Sequence, residues 1–251
     1  MFKIRTVDCW LILGAVLLLW QGSVLAQKPE AKKKFEEGIQ YKEMGMNFQA
    51  KESFQKALKL DPQYHSARVE LAGVYADLNM MEEAIAELAM LKKVTKPVPK
   101  YHTYSGLINY KIGLEIWTKL VQNHPEYMYK DDGKVRFIKK GEPEEVQIDK
   151  LAKKVERDTT QWEARYQLRG MYYDLAADEL LKAVKENSKD TLANLTLGLV
   201  YLEKGKKDLA LKQQEVLAKL DKKAGEDLKF MIEYVEQGKK ELEETLKKDK
   251  M

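Results

Sequence analysis

The chain of 251 residues is poor in the residues that usually advertise chemistry. A single cysteine excludes a disulfide framework within the chain. Three histidines, His65, His102 and His124, stand far apart and include no i, i+4 pair of a helical metal site. Arginine is scarce: six of the 44 basic side chains are Arg, so the forked donor that grips phosphate is nearly missing. The 44 basic and 40 acidic residues leave a net charge of +4, which argues against a nucleic-acid partner. No Gly-rich phosphate loop, G-x-S-x-G elbow, H-E-x-x-H or C-x-x-C-H occurs. No catalytic residue, metal or cofactor is expected from such an inventory. The six prolines all precede residue 144, which leaves the last hundred-odd residues free to be almost wholly helical.

What is present begins with an address. Lys3 and Arg5 precede an unbroken apolar run from Trp10 to Trp20, followed by Val24-Leu25-Ala26. This is the order of a secretory signal, predicted to be cleaved after Ala26. Eleven helical residues rise about 16 Å, too little for a ~30 Å hydrocarbon core. The alternative is an uncleaved anchor over Cys9–Ala26, tethering the chain to the inner membrane. Either way the remainder is exported, with a periplasmic or secreted location expected. Cys9 lies ahead of the apolar run, so no lipidated cysteine is expected at the new N-terminus. The lack of Cys beyond the signal and the lysine-rich surface favour a bacterial envelope.

A 34-residue period organises the rest. In residues 31–64, Gly38, Tyr41, Ala50, Phe54, Ala57 and Pro62 fall at positions 8, 11, 20, 24, 27 and 32. In 65–98, Leu71, Ala72, Tyr75, Ala84 and Leu88 keep positions 7, 8, 11, 20 and 24. In 191–224, Leu197, Gly198, Tyr201 and Ala210 keep 7, 8, 11 and 20. Small residues at 8, 20 and 27 let two helices approach, large ones at 11 and 24 fill the space, and proline stops the second helix. This pattern resembles the tetratricopeptide repeat, a helix–turn–helix unit of 34 residues. The first window departs from the family at position 4, which is Lys34, and at position 7, which is Glu37.

Two windows between these are weaker. Residues 101–125 keep Tyr110, Gly113, Trp117, Leu120 and Pro125, and residues 162–188 keep Gly170, Tyr173, Ala176, Leu180 and Ala183. In each, the step from the position-11 Tyr to the position-20 small residue is three, where the repeat needs nine. They are therefore either single long amphipathic helices or degenerate repeats. Residues 126–142 break the helical texture, with a turn at Asp132-Gly133, a short strand expected over 134–138 and a second break at Gly141-Glu142-Pro143. From Pro143 a helix is predicted with Ile148, Leu151, Ala152 and Val155 on one face. A final stripe of Leu228, Met231, Ile232 and Val235 precedes a Glu/Lys tail and is read as a cap. Asn194-Leu195-Thr196 matches a glycosylation acceptor but lies within a predicted helix, so it is expected to go unmodified.

The expected fold is all-α: a tetratricopeptide-like α-solenoid with an irregular insertion near 126–142. Its parts are a signal peptide (1–26), an N-terminal repeat pair (27–99), a helix or degenerate repeat (100–125), the insertion (126–142), a C-terminal helical block (143–224) and a cap with a charged tail (225–251). The resemblance implies a concave groove lined by positions 2, 5, 9, 12 and 13 of the first helices. Phe35, Ile39 and Lys42, Val69 and Asp77, and Leu195, Leu199 and Leu202 are the candidate partner-binding residues. Some family members clamp a C-terminal carboxylate with Lys and Asn at positions 5 and 9. Phe35 and Ile39 stand there instead, so the groove reads as apolar, suited to a partner helix or extended apolar segment. The opposing expectation is that these apolar residues pack against neighbouring repeats or the chain's own C-terminal helix. The functional expectation is an exported, non-enzymatic scaffold that binds another protein of the cell envelope. The alternatives are a self-assembling structural protein forming homo-oligomers, and an accessory subunit of an envelope enzyme or of secretion or pilus assembly, built on Tyr129, Asp131, Asp132 and Arg136 of the insertion.

Overall fold

The computed structural model describes residues 28–123, 143–157 and 162–248. The signal segment, His124, the 126–142 insertion with its four polar candidates, and the predicted strand lie outside those residues. Among the described residues every regular element is an α-helix: α1 (Pro29–Glu43), α2 (Asn47–Leu60), α3 (His65–Asp77), α4 (Met81–Leu91), α5 (Tyr101–Asn123), α6 (Glu144–Arg157), α7 (Trp162–Glu186), α8 (Thr191–Glu203), α9 (Lys207–Leu220) and α10 (Lys222–Lys248). None of these helices is long and apolar enough to cross a membrane. The chain divides into two compact units, residues 1–67 and 68–251.

The first unit is the α1–α2 hairpin. Ala31 and Gly38 of α1 meet Ala50, Phe54 and Ala57 of α2 in its core. A Cβ on Gly38 would lie 2.5 Å from the Phe54 ring, so the position-8 glycine is there to admit the position-24 aromatic. Phe35 joins the same core, with its ring 5.7 Å from Phe54 and 4.9 Å from Tyr64.

The turns follow the sequence period with high fidelity. Positions 15 are Gly45, Asn79 and Gly205, and all three have positive φ, of 73°, 58° and 67°. The next residue's N–H then reaches back to the carbonyl of the position-11 tyrosine: Met46 to Tyr41 at 2.8 Å, Met80 to Tyr75 at 2.9 Å and Lys206 to Tyr201 at 2.8 Å. A left-handed residue closing a helix in this way satisfies carbonyls that the helix leaves open, and Gly or Asn adopts it at least cost. The second helices end alike. At position 31, the N–H groups of Asp61 and Asp221 bond the position-27 carbonyls of Ala57 and Leu217.

In the second unit, α5 and α7 form the most extensive helix pair. The two weak windows are each one continuous helix, of 23 and 25 residues. They are also the two halves of a single repeat. A Cβ on Gly106 would lie 2.5 Å from Leu180, the same contact as Gly38 with Phe54. Gly106 is at position 8 if the frame of 65–98 simply continues. Counting back from Thr191 puts Ala176, Leu180 and Ala183 at 20, 24 and 27, and Asn187 at 31. Asn187 donates its N–H to the Ala183 carbonyl at 2.8 Å, as Asp61 and Asp221 do to theirs. Gly106 and Leu180 are 74 residues apart in the chain, whereas Gly38 and Phe54 are 16 apart. Two degenerate repeats are therefore replaced by one repeat, split at its turn.

The halves outgrow a normal hairpin. Gly113 approaches the Tyr173 ring as closely as Gly106 approaches Leu180. Trp117 lies beside Arg169. The pairs 106/180, 113/173 and 117/169 have a constant sum, so the helices run antiparallel well beyond the repeat. Helix α6 packs on this extension. Leu151, with Ala164 and Leu168 of α7, forms a small core flanked by Ile116, Ile148, Ala152 and Val155. Helices α8 and α9 form the last hairpin. Helix α10 closes it with Leu228 and Ile232, both buried beside Leu202, Ala210 and Leu217. Of the predicted terminal stripe, Met231 stands on the edge of this face and is exposed.

Candidate functional site

The structure places the expected groove residues in different circumstances. Phe35, Ile39 and Lys42 are half-buried on α1, and Phe35 is engaged with Phe54 and Tyr64. Asp77 is exposed at the end of α3, 3.7 Å from the Lys111 ammonium, which also donates to the Ala76 carbonyl at 2.8 Å. Lysine at a helix C-terminus neutralises carbonyls that carry partial negative charge.

Val69 and Leu202 require a correction: they are 1% and 7% exposed and belong to the core, not to an open groove. Leu195 and Leu199 are half-buried and pack, with Leu202, into the cluster that α10 closes. The physical reason is local. The last first-helix has an apolar face that must be covered, and the chain supplies its own C-terminal helix to cover it. The acceptor-like Asn194 is fully buried. Its amide donates to the Ser188 and Asp190 carbonyls at 3.1 and 2.8 Å, and its oxygen accepts from Gln213. It is a structural bracket between α8 and α9.

An apolar cleft lies elsewhere in the second unit, between α4 and α7. It is an open cavity of about 350 Å³ with Leu88 and Ile108 in its floor, and Ile85, Ile148 and Leu175 along its sides. Ile85 is 45% exposed on the rim. A second hollow of about 500 Å³ lies under the 92–98 segment and shares Lys92 and Tyr101 with the first. The split repeat makes this cleft. Ile148 reaches its wall only because α6 is inserted between α5 and α7.

One end of the cleft is polar. His102 Nδ1 is 2.7 Å from Glu179, its Nε2 is 3.5 Å from Glu186, and the Tyr101 ring meets the imidazole edge-on. Lys182 donates to the other Glu179 oxygen at 2.7 Å. Burial alone raises the Glu179 carboxyl, but hydrogen bonds from Lys182 and His102 outweigh it and hold the group below the usual carboxylate range. Burial likewise raises the Tyr101 phenol. The cleft thus offers apolar pockets beside a fixed charged corner, which suits side chains of a polypeptide. Among the described residues no group of three or more His, Cys, Asp or Glu side chains could hold a metal.

Two polar clusters that the period did not reveal position the cleft's walls. Tyr104 is pressed against Gly73 and donates to Glu70 at 2.8 Å, while Lys100 donates to the same carboxylate at 2.9 Å. Thr103 donates at 2.7 Å to Asp190, whose other oxygen caps α8 by accepting from the Ala193 N–H at 3.0 Å. The first turn of α5 is thereby tied to α3 and α8. At the far end, the Arg169 guanidinium lies over Trp117 at 4.3 Å and Tyr173 at 5.0 Å, and donates to Glu203 at 2.5 Å. Tyr110 stacks on Tyr173 at 5.8 Å. Burial pushes the Tyr173 phenol up to about 12, and Glu203 adds to the effect. The rarity of Arg in the chain was the one available signal for Arg169.

Helical hairpins with small residues at their crossings, left-handed turns at a fixed repeat position and a 34-residue period define an α-helical repeat protein. Residues 43–104 match the family model described as tetratricopeptide repeat. That match spans α2, α3 and α4. No curated protein matches it in sequence. Among solved structures it is similar to the thermophilic TPR protein TTC0263 of Thermus thermophilus, at 19% identity over 81% of this chain and 97% of that one, with a TM-score of 0.45. It is also similar to a tetratricopeptide repeat protein of Parabacteroides merdae, at 15% identity over 88% and 80%, with a TM-score of 0.31. A third is YrrB, described as a TPR protein with an unusual peptide-binding site, at 17% identity over 81% and 99%, with a TM-score of 0.28.

Proposed function

We propose that this chain is an exported scaffold that binds a segment of another protein of the cell envelope, and that the segment seats in the α4–α7 cleft. The observation that carries this reading is the cleft itself, an open apolar trough with Ile85 exposed above the buried Leu88 and Ile108. Exposed apolar side chains beside a concavity, rimmed by charge, are the usual form of a protein-binding surface. The candidate groove at Leu195, Leu199 and Leu202 is a weaker location, because α10 already covers it. Export rests on the apolar run at Trp10–Trp20 and the small residues before Gln27. The bound segment is one that presents apolar side chains along one edge and places a basic or hydrogen-bonding group near Glu179.

The test is a quantitative pull-down from envelope extract with the wild type, Ile85→Glu and Leu175→Glu, and with Leu211→Glu on the exposed side of α9 as the control. A partner recovered with wild type and Leu211→Glu but lost with both cleft variants supports the site. Equal recovery by all four overturns it. Cell fractionation tests export separately, and a chain of unshortened mass in the cytoplasm contradicts it.

A further inference from the structure

The C-terminal helix has a second apolar feature on the side away from the core. Leu228, Ile232 and Val235 face inward. Phe230 and Tyr234 face outward, 68% and 71% exposed, with their rings stacked 6.4 Å apart. Two large aromatics on the water-facing side of a terminal helix forgo the free energy of burial. At 100° per residue, Lys223, Asp227, Phe230, Tyr234, Gln237 and Glu241 recur at spacings of 4, 3, 4, 3 and 4 along one line. That line is opposite the Leu228–Ile232–Val235 face, and its spacing is that of a two-helix seam.

We infer that α10 docks against α10 of a second copy of this chain, antiparallel, forming a symmetric dimer. The charge pattern selects the occupant and the direction. With the two-fold axis beside residue 232, facing residues have numbers that add to 464. Phe230 then lies against Tyr234 of the other copy, twice. Lys223 lies against Glu241, also twice. Glu241 already accepts from Gln237 of its own helix at 2.9 Å, which holds its carboxylate along the seam. A parallel pairing instead sets Lys223 on Lys223, Asp227 on Asp227 and Glu241 on Glu241, and like charges face to face oppose association. A self-complementary patch of this kind is what a two-fold interface requires.

The four aromatic rings supply roughly 400–700 Å² of buried surface. With the flanking side chains the interface stays below the ~1,200 Å² of tight complexes, so dissociation falls at roughly 1–100 μM. Sedimentation velocity of the purified full chain from about 1 to 500 μM reads this directly. A concentration-dependent dimer is expected. Phe230→Glu/Tyr234→Glu weakens association at least about a hundredfold, while the far-UV spectrum stays unchanged because both residues are exposed. Lys223→Glu weakens it about tenfold, and Lys223→Glu/Glu241→Lys restores it, since the exchange preserves only the antiparallel register. A monomer throughout, a dimer indifferent to the aromatic variant, or a failure of the charge exchange to restore association overturns the proposal.

Discussion

Replacing Gly106 with alanine separates the split-repeat account from a looser packing of two long helices. In an exposed helix interior, Gly→Ala stabilises by about 1 kcal/mol. At Gly106 the new Cβ lands 2.5 Å from Leu180 Cγ and 2.8 Å from its Cδ2, with the Ala176 carbonyl at 3.2 Å closing the way out. Leu180 is fully buried in the cluster with Ala176, Ala183 and Leu197, so it has no empty space to enter. The helices must separate, and overpacking of this kind costs about 3 kcal/mol at its upper range. The net expectation is a loss of about 2 kcal/mol, or roughly 4–8 °C in melting temperature. Gly170 provides the control. It lies in α7, and a Cβ there meets nothing within 4 Å. Gly170→Ala is expected to gain about 0.5–1 kcal/mol. Thermal and urea melts followed by helical circular dichroism give the sign of each change. Hydrogen exchange over 101–123 and 162–186 locates it. A Gly106→Ala protein as stable as wild type refutes the close crossing and with it the assignment of α5 and α7 to one repeat.

Three further outcomes follow from the same geometry. Arg169→Met removes the cation from Trp117 and Tyr173 and leaves Glu203 in a partly buried site, so stability falls by about 2–4 kcal/mol and Trp117 fluorescence shifts. Tyr173 titrates at about 12 when folded and near 10 when unfolded, so its contribution is intact below pH 10 and is lost as pH rises toward 12. Urea melts across that window lose about 2–3 kcal/mol from this group, and Tyr173→Phe removes that share of the alkaline sensitivity. Leu199→Glu places a charge against α10 and is expected to cost about 2–3 kcal/mol, whereas Ile85→Glu on the cleft rim stays within about 0.5 kcal/mol of wild type. Equal melting of these last two variants contradicts the placement of Leu199 in the core and Ile85 outside it.

The regular repeats were legible because their determinants are local. Gly38 and Phe54 stand at a fixed sequence distance, and a left-handed residue at position 15 follows each first helix, so spacing alone reports packing. The split repeat was not legible for the same reason. Gly106 meets Leu180 across 74 residues, and no period detects a pair separated by an insertion. The residues that do resemble the repeat letters, Tyr110, Gly113 and Gly170, serve other ends: Gly113 serves the extension beyond the repeat, and a Cβ on Gly170 would meet nothing within 4 Å. The helix at 143 was readable from its apolar face, although its role as a wall of the cleft was not. Repeat positions also misassigned Val69 and Leu202, because a position reports the side of a helix and not what the rest of the chain lays over it. The terminal stripe marks the inward face of α10, whereas Phe230 and Tyr234 lie on the opposite face and belong to no apolar stripe.

Site-specific photocrosslinking in cells tests the central claim most directly. A benzophenone side chain is placed in turn at Ile85 and Leu175 of the α4–α7 cleft, and at Leu211 on α9. The account predicts that Ile85 and Leu175 capture the same envelope protein, at neighbouring residues of one short segment, and that Leu211 does not. Capture at Leu211 alone, or different proteins at the two cleft positions, contradicts it.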